Sequence, residues 1–156
     1  MNLATGHLES VNGNVEAVFA NNRITVDPVA LDRHKRVPEF MNKEIVIGIR
    51  PGAYQEVSHA AFDTTGRTME VDARVVEVLG SETLVHFDIG APPVVTPDIE
   101  ELLADTGQTP ESLGKVSSFT ARVNPDVHPR PGDRVKLAID TKKLHFFDPA
   151  TGERIR

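Results

Sequence analysis

Six histidines, His7, His34, His59, His86, His128 and His145, carry the side chains best suited to acid–base work or metal ligation near neutral pH. They are scattered along the chain. None forms an H-x-H or H-E-x-x-H pair, so their spacing offers no convergent ligand set, and they read as structural or surface residues. No serine sits in a G-x-S-x-G setting, and there is no cysteine to act as nucleophile or thiolate ligand. Asp27, Asp133 and Asp148 each lie beside Pro or Gly, where a carboxylate caps local backbone N–H groups, and Glu100-Glu101 reads as a solvated helix face. A G-x-x-x-x-G-K-[ST] phosphate loop cannot be placed anywhere. The stretch "IGIRPG" puts Arg50 where an anion could meet it, but a lone Arg before Pro does not make a phosphate loop. No catalytic, cofactor-binding or metal-binding set emerges.

Composition narrows the function classes. The 156 residues carry 23 Asp and Glu against 17 Lys and Arg, a formal charge of −6 that argues against nucleic acid as the main partner. Aromatic residues are 5% of the chain and Trp is absent, so the core must be built from Val, Ile and Leu, which favours strands. The absence of Cys fits a reducing cytosol. No apolar run approaches a membrane span, so membrane association is expected only through a partner.

The elements that would position these residues are short. "GHLESVNGNVEAVF" predicts a hairpin turning at Asn12-Gly13, and a second turn at Asn21-Asn22 leads to "RITV". Asp27-Pro28 opens a short helix, and Ile45–Ile49 is a strand ended by Arg50-Pro51-Gly52. In "MEVDARVVEVLG" the apolar parity changes, from Met69, Val71, Ala73 and Val75 to Val76 and Val78, which predicts a bulge or barrel corner. Val85, Phe87 and Ile89 alternate with His86 and Asp88. Thr96 caps a helix stopped by Gly107, packed by Ile99, Leu102 and Leu103, and Thr109-Pro110 starts a shorter turn. "SSFTARV", "DRVKLAID" and the closing "KLHFF" are strands. Eight to ten short strands with one or two short helices give an all-β fold, one barrel or a pair of small barrels.

The ordered set "MNLATG", "IGIRPGAY", "VVEVLGSETLVHFDI", "RPGDRVKLAID" and "LHFFDPATGERI" resembles the C-terminal regulatory domain of carbohydrate-importer ABC ATPase subunits. That domain is of the transport-associated OB-like (TOBE) type found in maltose and trehalose importers. The match runs in order over nearly the whole chain. Gly48, Arg50 and Pro51 fill the family's G-I-R-P positions, while Gly52 stands where the family carries an acidic residue. Residues 90–118 are longer than in the maltose-importer type and are similar to actinobacterial members. The resemblance implies OB-like barrels over 1–156, as one regulatory domain or two intertwined sub-barrels. It also implies that a nucleotide-binding domain, with its ATP and Mg, precedes this stretch in a longer subunit. Implied partners are a second copy of the subunit, the ATPase domain, and permease subunits reached through that domain at the cytoplasmic face of the membrane, with no nucleic acid and no direct membrane insertion.

Two functions follow as expectations. One is a non-catalytic regulatory and dimerisation module; the alternative is an OB-type module binding a small oxyanion or an oligonucleotide. Leu144 and Phe146 alternate with His145 and Phe147, leaving no wholly polar face on the last strand. Phe147 is expected either under a loop or the inserted helix of the same chain, or at a partner surface shared with the Leu79, Gly80, Ser81 and Glu82 turn.

Overall fold

The computed structural model describes residues 1–156. The first sheet has five strands: β1 (Asn2–Val11), β2 (Asn14–Phe19), β3 (Asn22–Thr25), β4 (Glu44–Ile49) and β11 (His145–Phe147), in the order β11-β4-β1-β2-β3. A second sheet sets β10 (Arg134–Ile139) between β5 (Tyr54–Glu56) and β6 (Thr68–Asp72), and a third sets β8 (Thr83–Ile89) between β7 (Val75–Val78) and β9 (Ser117–Val123). Helices α1 (Pro28–Arg33) and α2 (Pro97–Asp105) complete an all-β architecture with two short helices.

Local chemistry accounts for most boundaries. Asn12 and Gly13 have φ of 50° and 83°, the left-handed pair that lets β1 turn directly into β2 with Val11 opposite Asn14. The Asp27 side chain accepts from the Val29 N–H at 3.0 Å and caps α1. Thr96 caps α2 through the Ile99 N–H. The helix ends in a Schellman arrangement: the Gly107 N–H reaches the Ala104 carbonyl, the Gln108 N–H reaches that of Leu103, and Gly107 takes φ 70°.

Three expectations change. There are eleven strands, because β5 is a three-residue strand recruited by pairing with β10. Of the two readings of the parity change at residues 73–76, the bulge gives way to a corner: β6 belongs to the second sheet and β7 to the third. In α2 only Leu103 is buried, 4% exposed, whereas Leu102 is 62% exposed, so the helix does not pack through Leu102. Ile99 and Leu103 are about one turn apart and share a side, while Leu102 is rotated away from Leu103 by about 100°.

The sheets close on one another. The Thr25 N–H donates to the Gly66 carbonyl and the Ile139 N–H to that of Arg67, joining the first sheet to the second. Arg67 also forms a nearly buried ion pair with Asp27 at 3.2 Å. The Asn2 amide imitates a ladder step with β9: its Nδ2 donates to the Thr120 carbonyl at 2.8 Å and its Oδ1 accepts from the Thr120 N–H at 2.9 Å. All the buried apolar residues except Val46, Leu103 and Ala138 form one cluster of 29, with Phe19, Phe87, Phe119 and Phe146 among the largest, so the three sheets share a single core.

Candidate functional site

The end of β4 delivers Arg50 to the rim of a cavity of about 630 Å³ that opens to solvent. Pro51 and Gly52 follow in a tight helical turn, Pro51–Ala53, which directs the chain away from the sheet. Arg33 at the end of α1, Arg122 on β9, Lys143 before β11 and His145 on β11 complete the polar wall; no Asp or Glu lines it. Four segments well separated in sequence meet here, two of them because β11 pairs with β4, His145 opposite Gly48.

The charges are unevenly compensated. Arg122 pairs with Glu82 at 3.2 Å and Lys143 with Asp140 at 3.1 Å. Arg33 donates to the Lys142 carbonyl, and the Arg50 guanidinium has neither an ion pair nor a hydrogen bond within the chain. Gly52 makes room for Arg122: a Cβ there would lie 2.5 Å from a guanidinium nitrogen. His145 is 8% exposed and its Nδ1 has no partner. Burial, then the nearby Arg154, Arg50, His34 and Arg33, pushes its pKa down to about 4, so the ring is neutral at physiological pH. Chemically the cavity can hold negative charge, through guanidinium forks and an ammonium, beside a neutral imidazole.

Of the sequence-level candidates, Arg50 and Pro51 line this cavity, and Gly48 lies in β4 opposite His145. Phe147 lies elsewhere. It is half-buried and lines a small apolar cavity together with Leu3, Val46, Val94, Val95 and Pro97 of the same chain. Phe147 and the Leu79–Glu82 turn share neither strand pairing nor a hydrogen bond. Leu79 is 53% exposed at the β7–β8 turn, next to Val78 at 56%. Sequence reasoning missed Arg33, Arg122 and Lys143, which no spacing rule connects to Arg50. It also missed a cross-strand relay on the third sheet, where His86 contacts Glu77 through Nε2 at 2.6 Å and Thr120 Oγ1 through Nδ1 at 2.9 Å. That carboxylate–imidazole–hydroxyl row follows from register, since His86 stands opposite Thr120. It lies on a sheet face and lines none of the larger cavities.

The fold is of the OB-like β-barrel class. A cytoplasmic molybdate-binding protein, solved with molybdate bound, superimposes with a TM-score of 0.54 at 12% identity, over 93% of this chain and 94% of that one; the likeness is one of fold. No protein-family model matches the chain. Sequence relatives are ATP-binding proteins of importers. The chain is 30% identical over 144 residues to the sulfoquinovosyl glycerol transport ATP-binding protein of Agrobacterium fabrum, covering 92% of this chain and 31% of that protein. It is 34% identical over 117 residues to an sn-glycerol-3-phosphate import ATP-binding protein of the same organism, covering 75% and 23%. It is 30% identical over 117 residues to the trehalose import ATP-binding protein of Mycobacterium tuberculosis, covering 72% and 28%. The chain is therefore related in sequence to the ATP-binding subunits of ABC importers, and spans between about a quarter and a third of the length of the curated relatives it matches.

Proposed function

We propose that this chain is the regulatory and dimerisation part, on the C-terminal side, of an ABC importer's ATP-binding subunit, for a sugar or related solute. The observation that carries the reading is the asymmetry of coverage: 92% of this chain aligns with a transport ATP-binding protein of which it spans only 31%. The missing phosphate loop and the OB-like barrel support a non-catalytic role for these residues, with ATP and Mg held by a nucleotide-binding domain elsewhere in the parent subunit. Its partners in this reading are a second copy, the ATPase domain, and permease subunits reached through that domain at the cytoplasmic face of the membrane.

The physical task is tethering. Two ATPase domains that separate after each hydrolysis stay at high effective concentration if their regulatory parts remain joined. The surface proposed for that junction is the β7 edge and its turn, Leu79 to Glu82, where Val75, Val78 and Leu79 expose apolar side chains along an edge strand paired only with β8. Phosphate release from ATP and Mg, measured together with sedimentation of the purified chain from micromolar to millimolar concentration, tests the reading. The expected result is no hydrolysis and reversible self-association. Hydrolysis that co-purifies with the chain, or a strict monomer throughout, would overturn it.

A further inference from the structure

We propose that the cavity walled by Arg33, Arg50, Arg122 and Lys143 is a binding site for a small phosphoryl-type oxyanion, as free phosphate or as the phosphate group of a sugar ester. This inference stands apart from the importer reading, because it needs only the geometry of this chain.

The first reason is charge. Acidic residues outnumber basic ones by 23 to 17, yet four cationic side chains line one cavity with no carboxylate among its lining residues. Like charges at close range repel, so such a cluster is stable only with countercharge. Glu82 and Asp140 neutralise Arg122 and Lys143 from outside the wall. Arg33 and Arg50 have no carboxylate partner, and Arg154 stands near enough to feel both. The second reason is the imidazole. His145 is more than nine-tenths buried, lines the cavity, and leaves Nδ1 without a partner. A buried polar atom left unpaired by the protein is where a ligand or water completes the hydrogen bonding. The third is Gly52, whose bare backbone leaves space for the Arg122 guanidinium beside it.

The chemistry of the donors selects the ligand. Planar guanidinium forks fit tetrahedral oxyanions through paired N–H···O bonds, and an ammonium adds a point charge. A volume of about 630 Å³ falls in the range of small-molecule pockets and leaves room beside the oxyanion for the rest of an ester. The apolar lining is Met1 and Ala53, with no Phe, Tyr or Trp on which nucleobases could stack, and this disfavours a nucleic-acid strand.

Calorimetric titration of the purified chain at low salt is the test, with inorganic phosphate, glucose 6-phosphate, neutral glucose and sodium nitrate as probes. Saturable binding of phosphate or the ester is expected, with none for glucose or nitrate. Tighter binding of the ester would identify an esterified ligand, and equal or tighter binding of phosphate would identify the free ion. Arg50 is exposed, so Arg50→Gln should fold normally and weaken binding at least about tenfold, as loss of a charge-assisted hydrogen bond does. Gly52→Glu sets a carboxylate against Arg122 and should abolish binding. Arg74→Gln, a change at a side chain held by Asp88 and Ser118 outside the cavity, should leave it unchanged. The His145 ring resonances should titrate at higher pH once phosphate is bound. No saturable binding by the unaltered chain, or affinity unchanged in both Arg50→Gln and Gly52→Glu, would overturn the proposal.

Discussion

A Cβ at Gly48 would lie 2.7 Å from the Met1 sulfur and 2.8 Å from the Phe147 ring. The missing side chain is what allows the Phe147 ring to come this close to β4, beside a cavity that Val94, Val95 and Pro97 also line. Gly48→Val should therefore push the ring out and cost about 1–3 kcal/mol, the usual range for overpacking. Urea melts of the variant check this, and an unchanged midpoint would mean that the ring is free to move. A second residue-scale prediction concerns pH. The His145 pKa is about 4 in the folded chain, below the ordinary 6.5, so between these values the unfolded chain binds a proton that the folded chain refuses. Its contribution to stability is fully present above pH 6.5 and is lost as pH falls toward 4. In His145→Gln, stability between pH 6.5 and 4.5 should fall less steeply than in the unaltered chain. Identical slopes in denaturant titrations would reject the assignment.

At the scale of elements, the sequence was most readable where one residue does a local job. Asn12-Gly13 sets a turn, and Asp27 and Thr96 cap helices, because each acts on backbone groups within a few residues. It was least readable where tertiary pairing decides. Tyr54–Glu56 is a strand only because β10 lies beside it, and the alternation through residues 69–78 breaks because the chain changes sheets. The site follows the same rule: Arg50 and Pro51 could be singled out from their motif, but Arg33, Arg122 and Lys143 reach them only through folding. In α2 the apolar triplet could not say which of two adjacent leucines faces inward. The burial difference gives a paired prediction. Leu103→Ala should cost about 2–5 kcal/mol, while Leu102→Ala should stay within about 0.5 kcal/mol. Denaturant unfolding of both variants tests it, and the reverse order would place the helix in a different rotation.

At the scale of the molecule, one core fixes three sheets while leaving the outer edge of the third unpaired. The β7 strand pairs only with β8, and Val75, Val78 and Leu79 are 45%, 56% and 53% exposed along it. An edge of this kind invites a second chain unless charge defends it, and no Lys or Arg lies between Val75 and Glu82. Glu77 and Glu82 are the only charges there, with Glu77 engaged by His86 and Glu82 by Arg122. Arg122 thus offsets the Glu82 charge across the same sheet, which lowers the repulsion between two such edges. If this edge joins two copies, Leu79→Asp adds an unpaired carboxylate at its turn and should shift sedimentation from dimer toward monomer. Because Leu79 is more than half exposed in its own chain, the melting temperature at low concentration should stay the same. Loss of folding would show that the leucine belongs to the core instead, and an undiminished dimer would move the junction to another face.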